Sequence, residues 1–543
     1  MRNLFFSFAL LINQLDGVSQ ELSVDTLNRI ESVFQKWNSN SSPGAAFAIS
    51  RHGQIIYENA WGMADIEKQI PNTVSTVFPV ASLSKQFTAA AVLLLEQQGK
   101  LSLDDDVRKY LPELHDFGKT ITIRHLLNHT SGLRDWTNLL LLSSVDRSTT
   151  LLTNEYVLNF LSRQNELNNY PGDEFNYSNS NYSILPIVVQ RVSGQSFSEF
   201  CRHYIFDLLH LDHTEWFAGQ NKEQMAMPYI LDKIYLKVIS TATVSGHGGL
   251  MTTVSDLLTW NQAYLKGKLG GDSFLEKQLQ PGRLNNGVVI PYAAGLRIVT
   301  YKGNKAISHN GVGRGYVSFL EYFPCNDMSF ALAANVSEIN PVVLCRQIED
   351  LFIKPGMTAD VPNQVITSHS FDALARFEGW YRNTRNGAGL QLIEKNGKLV
   401  TNSGDSLWQT TPGVFKVKEG ILDFTSSSNL IFVNSTFYPD TTFYTRIEGP
   451  LDNTDIQEYA GSYFSNELNS AVSINVSGRA LFMQLGTKKT YSLLPTYKDG
   501  FNIEPLITAG PNCLYFIRDT HEKIVGLRIS IDRARNVLFE RKN

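Results

Sequence analysis

Cysteine is scarce, with Cys201, Cys325, Cys345 and Cys513 the only four in 543 residues. They are scattered and form no C-x-x-C pair, which excludes a zinc ribbon or a thioredoxin-type redox site. In a chain long enough to bury large cores they are read as small apolar residues, not as a disulfide framework. Charge of one sign is lacking too: 48 basic against 52 acidic residues leave a net charge of −4 and a pI near 6.3. Without a Lys/Arg run there is no footprint for nucleic acid or an anionic membrane, and the expected partner is a small-molecule or peptide substrate. No apolar run after the N-terminus is long enough to span a membrane. The N-terminus itself is the exception, because Arg2, the apolar run Leu4 to Ile12 and the small residues Gly17 and Ser19 read as an export signal over residues 1–20. Export places the protein in the periplasm or outside the cell, and no cysteine follows the run to carry a lipid.

Two cofactor motifs are begun and left incomplete. Gly311 to Gly315 reads GVGRG, but it opens no helix and completes no dinucleotide fingerprint. His125 and His129 stand at i and i+4 in ITIRHLLNHTSGL without the glutamate or third ligand that a zinc site needs. No metal and no cofactor is therefore expected.

What the chain does contain is the stretch FPVASLSKQFTAAAVLLL, Phe78 to Leu95. Helix formers with apolar Ala89, Ala90, Leu93 and Leu94 predict a helix from Ser82, with Lys85 one turn further along the same face. A serine hydroxyl is a weak nucleophile, and a partly desolvated amine one turn away can take its proton. Further on, Tyr177, Ser178 and Asn179 follow the Pro171-Gly172 turn on a polar loop, so that a phenol and an amide could face one cleft. Within a run of short strands, Tyr292 to Ala334, His309, Asn310 and Gly311 end one strand. The N-terminal part offers a helix over Glu21 to Asn38 and a hairpin of AAFAIS and QIIYENAWG about Arg51 to Gly53.

Ser82-x-x-Lys85, Tyr177-x-Asn179 and His309-x-Gly311, in this order and context, resemble the class C β-lactamase-like serine hydrolases, which include D-alanyl-D-alanine carboxypeptidases, D-aminopeptidases and esterases. ITIRHLLNHTSGL and GHGGLMTTVSDLLTW are similar to that family's intervening segments. The resemblance implies an α+β fold over residues 21–356: an antiparallel sheet flanked by helices, with an inserted helical domain and the active site at their junction. It implies that Ser82 is acylated, that Lys85 accepts its proton and that Tyr177 relays protons. Asn179 would hold Lys85 and a substrate amide, with the backbone N–H groups of Ser82 and Val312 as oxyanion hole and His309 and Gly311 lining the substrate. β-Lactamases proper carry Lys-Thr-Gly where this chain has His309-Asn310-Gly311; a neutral imidazole binds a carboxylate less insistently than an ammonium, so penicillin hydrolysis is not the expected main activity.

Residues 357–370 loosen into a linker, and two all-β domains are expected at 371–450 and 451–543. FEGWY, Phe377 to Tyr381, is echoed by YAGSY, Tyr459 to Tyr463, among alternating β-formers and turn glycines. Neither unit shows a cluster of ionisable residues resembling a site; they resemble accessory domains that restrict what enters a neighbouring cleft. The expected function is an exported serine hydrolase acting through an acyl-enzyme on a D-amino-acid peptide, ester or related amide. The alternatives are a carboxylesterase of the same family and a weakly hydrolytic penicillin-recognising or carbohydrate-binding protein. Oligomeric state and the choice among D-peptide, ester and β-lactam stay open, because both depend on surfaces and loops outside the motifs.

Overall fold

A computed structural model describes residues 22–356 and 374–542, apart from 148, 220–223, 239–241, 418–419, 426–428, 435–440, 451–455, 487–488 and 509. The expected export signal and the expected linker lie outside the described residues. Among the described residues no helix is long and apolar enough to cross a membrane.

The N-terminal hairpin, Ala45–Arg51 with Gln54–Trp61, joins four late strands in one six-stranded antiparallel sheet. The order is Arg297–Tyr301, Asn304–Gly313, Tyr316–Phe323, Met328–Ala334, Ala45–Arg51, Gln54–Trp61. Register follows the strand period of two. Ala45, Phe47 and Ile49 join Phe330, Leu332 and Ala334 on the face covered by helices Val24–Phe34 and Pro341–Glu349. Ala46, Ala48, Ala331 and Ala333 occupy the other face, where their small side chains let helices approach closely. Helix Ser84–Gln97 lies in that second core, buried on all sides from Ser84 to Leu95. Polar Lys85 is carried into the interior with it. Helix Asn179–Ser193 packs against it from the inserted helical region.

Helix Ser84–Gln97 starts later than its apolar pattern suggests. Ser82 belongs to a preceding 3-10 turn, Ala81–Leu83, in which Ala81 has φ +47. A non-glycine residue there is strained and must be held by its surroundings. The helix after Thr122 also ends early, at Leu127, capped by Thr122 and His125. His129 lies beyond it at φ +57, so His125 and His129 do not share a helical face. Of the four thiols, Cys201, Cys345 and Cys513 are buried and Cys325 is exposed, on the turn between strands Tyr316–Phe323 and Met328–Ala334.

The C-terminal region forms two β-structures. The first has eight strands, running from Lys398–Thr401 at one end to Trp408–Thr411 at the other. The second, Gly461–Ser465 to Ala534–Arg541, closes into an eight-stranded barrel through Tyr463 and Phe464 pairing with Arg541 and Glu540. The sequence echo has a structural counterpart. Tyr381 Oη donates to Phe377 O at 2.9 Å and Tyr463 Oη to Tyr459 O at 2.8 Å, the same i to i−4 tie at the start of each unit.

Candidate active site

A cavity of about 540 Å³ opens where the three parts of the chain meet. Ser82, Tyr177, Asn179, Arg297, His309 and Val312 line it from the N-terminal domain, Arg385 and Asn386 from the first β-structure, and Asp532, Arg533 and Arg535 from the barrel.

Lys85 is fully buried, and its Nζ has three neighbours: Ser82 Oγ at 3.0 Å, Asn179 Oδ1 at 3.0 Å and His247 O at 2.8 Å. The two carbonyls can only accept. A neutral amine has two N–H groups to give them and a lone pair left for the serine hydroxyl. Burial holds the Lys85 pKa well below its ordinary value, helped by the positive charge of Arg533 and opposed by Asp135. Asn179 is the first residue of its helix, not part of the extended loop, and its backbone N–H donates to Asp135 Oδ2 at 2.7 Å.

Tyr177 reaches over this group, its ring centre 4.9 Å from Lys85 Nζ. Burial pushes its phenol up to about 12, against the contrary pull of a hydrogen bond with Ser82 and the charges of Arg297 and Arg533. Behind it lies an aromatic stack. The His129 ring centre is 4.1 Å from that of Tyr177, and His129 Nδ1 accepts from Ser178 N at 3.2 Å and Asn181 Nδ2 at 3.0 Å. His129, His247 and His309 are all kept neutral, chiefly by burial and then by neighbouring cations.

His309 is only 2% exposed. Its Nδ1 lies 2.7 Å from Asn310 O, an acceptor, so Nδ1 carries the proton and Nε2 takes the Tyr292 hydroxyl at 3.1 Å. Both nitrogens are used within the protein. The imidazole forms a wall of the cavity, with no free donor for a substrate. Gly311 lies where strand Asn304–Gly313 passes the Ser82 turn; a Cβ there would fall 2.2 Å from Val80 O and 2.3 Å from Ser318 Oγ. Glycine is required by that approach. Val312, next along the strand, exposes 63% of its surface beside the cavity.

Residues 28–345 match the family model for Beta-lactamase. The chain belongs to that family. Its members supply serine-hydrolase chemistry on an amide or ester. It is 28% identical over 311 residues to "Penicillin-binding protein 4*" of Bacillus subtilis (strain 168), covering 54% of this chain and 68% of that protein. To the D-aminopeptidase of Brucella anthropi it is 27% identical over 277 residues, 50% of this chain and 52% of that one. The chain thus spans about half to two thirds of the length of these relatives. The structure of the octameric penicillin-binding protein homologue from Pyrococcus abyssi superposes with a TM-score of 0.53 at 20% identity, over 95% of this chain and 99% of that one. At that identity the likeness is one of fold, and its coverage extends through the C-terminal β-structures.

Several residues of the site carried no legible signal. Asp135 and Arg533 approach to 3.6 Å although they are far apart in sequence. Arg533 lies in IDRARNVLF, which reads as strand, charged turn and strand, the usual look of a solvated hairpin. Neither β-unit was expected to show a cluster of ionisable residues resembling a site; the structure brings Arg385 from the first and Asp532, Arg533 and Arg535 from the second to the cavity wall.

Proposed function

We propose that the protein is an exported serine acyl hydrolase that forms an acyl-enzyme on Ser82 and cleaves a D-amino-acid peptide, ester or related amide carrying a carboxylate. The observation that carries this reading is the buried Lys85 Nζ, within hydrogen-bond distance of Ser82 Oγ and of the two carbonyl oxygens Asn179 Oδ1 and His247 O. Neutral Lys85 takes the serine proton as Oγ attacks the carbonyl carbon. Tyr177, protonated at neutral pH, gives its proton to the leaving group and takes back the one that Lys85 received from Ser82, which returns both groups to their neutral forms. The N–H groups of Ser82 and Val312 receive the oxyanion, and water then releases the acyl group by the reverse sequence.

The carboxylate preference rests on Arg297. Its guanidinium lines the cavity beside His309, has no ion-pair partner among the described residues, and its Nε is buried without a hydrogen-bond partner. A guanidinium in that setting suits a carboxylate through two parallel hydrogen bonds and repels a substrate ammonium. Arg385 and Arg535, by contrast, are paired with Glu174 at 2.9 and 2.7 Å.

A fluorophosphonate should label the wild type and leave Ser82→Ala unlabelled; labelling that survives the substitution refutes the assignment. A panel of p-nitrophenyl esters, nitrocefin and D-Ala-D-Ala peptides then separates the readings. Turnover of esters alone selects the carboxylesterase, and peptide cleavage that is lost when the terminal carboxylate is amidated selects the peptidase.

A further inference from the structure

The barrel hairpin formed by Ile524–Ile531 and Ala534–Arg541 turns against the N-terminal domain, with the side chains of its tip residues Asp532 and Arg533 about one third exposed on the cavity wall. At its tip Arg533 O accepts from Asp135 N at 3.1 Å and from Asn168 Nδ2 at 2.8 Å, and Arg535 N donates to Asn168 Oδ1 at 2.8 Å. The Arg533 guanidinium lies 3.6 Å from Asp135 Oδ2 and 5.5 Å from the centre of the Tyr177 ring. Asp135 is wholly buried, and its Oδ2 is the atom that receives the backbone N–H of Asn179.

We propose that Arg533 is a positioning residue of the catalytic centre, supplied by the barrel: its pairing with the buried Asp135 carboxylate fixes Asn179, whose side-chain oxygen in turn receives Lys85. This rests on the reading of Ser82 and Lys85 as nucleophile and base. A buried carboxylate is tolerated only when compensated. Burial alone would raise the Asp135 pKa, and Arg533, followed by the Thr137 hydroxyl and the Asn179 and Asn138 amides, holds it below the ordinary value.

The same pair balances the charge around the base. The phenols of Tyr177 and Tyr182 and the imidazoles of His129, His247 and His309 face Lys85 as neutral groups. Asp135 and Arg533 are the full charges acting on it, of opposite sign, while Arg297 stands further out and acts on Tyr177 and His309. Without Arg533 the unbalanced carboxylate draws a proton onto Lys85, leaving it a poor base at neutral pH.

The test uses the full-length protein and follows the pH dependence of fluorophosphonate labelling and of ester acylation, with Ser82→Ala as the blank. In Arg533→Ala the ascending limb should move to higher pH by about one unit or more, so that labelling below the limb falls about tenfold and recovers in alkali. Arg533→Lys, which keeps the charge, should retain the wild-type limb. Asp135→Asn combined with Arg533→Ala should return the limb toward wild type, since both charges are gone. An unmoved limb in Arg533→Ala, or a uniform loss at every pH shared by the lysine variant, overturns the proposal. Labelling that persists in Ser82→Ala is a separate result and defeats the nucleophile assignment instead.

Discussion

Arg134 offers the strongest single perturbation of how the barrel is held against the N-terminal domain. Its side chain is completely buried and makes three contacts across the interface, with Glu467 at 2.7 Å, Arg535 O at 3.0 Å and Asn536 O at 3.3 Å, and a fourth within its own domain, with Glu166 at 3.2 Å. These partners do not suffer equally when it is removed. Glu166 is 42% exposed and keeps Arg528 at 2.6 Å, and Asn536 O keeps Arg528 at 2.7 Å. Glu467, only 8% exposed, loses its counter-ion, and Arg535 O loses its side-chain donor. Breaking such a pair from one side costs roughly 3–5 kcal/mol. Arg134→Met should therefore weaken docking by roughly two to three and a half powers of ten, at about 1.4 kcal/mol per decade. The reporters are the amide protons of Asp135 and Arg535, which are bonded across the interface. Hydrogen exchange at both should accelerate by up to that factor, while the barrel strands stay protected. Arg134→Lys should rescue little, because an ammonium cannot reproduce the planar fork. Unchanged exchange at both amides would refute the reasoning that this buried ion pair holds the hairpin in place.

Two further outcomes are expected. Gly311→Ala should leave the domain folded but displace the Ser82 turn, since the new methyl meets Val80 O and Ser318 Oγ; acylation should fall roughly a hundredfold, as a misplacement of about 1 Å can cost, and a wild-type rate would show that the strand has room to yield. For the pH profile, the protonated form of Lys85 is disfavoured by burial, so activity rises through a limb well below pH 10.5, and it does not fall again until Tyr177 ionises at about 12. A descending limb between pH 7 and 9, read in kcat/KM for a neutral ester, would mean that the proton donor is a group other than Tyr177.

Much of this architecture is written locally. The hairpin 45–61 is legible because its alternation and turn are contiguous, and Ser82, Lys85, Tyr177 and Asn179 stand out because reactive side chains recur at short spacings. His309 was legible as a position but not as a role: Tyr292, which occupies its Nε2, is placed by folding and not by any pattern shared with it. The boundary errors have the same origin. Apolar periodicity does not register that Ala81 adopts a left-handed conformation before Ser82, nor that the chain turns off after Leu127 and reverses His129. Asp135 and Arg533 were out of reach because their meaning is mutual. An aspartate just before an apolar helical run is an ordinary N-cap, and Asp135 is one, for Trp136–Leu142; its second contact exists only once the barrel arrives.

The barrel's closure has a consequence for how such a protein can diversify. A cylinder whose strands are bonded all the way round has no fraying margin through which a change at one end can spread. It works as a stiff boom, and the two residues at its tip, Asp532 and Arg533, become an interchangeable fitting delivered to the same point in space. On the proposal made above for Arg533, rewriting that turn would retune the neighbouring site while leaving the serine, the lysine and the tyrosine in the sequence unchanged.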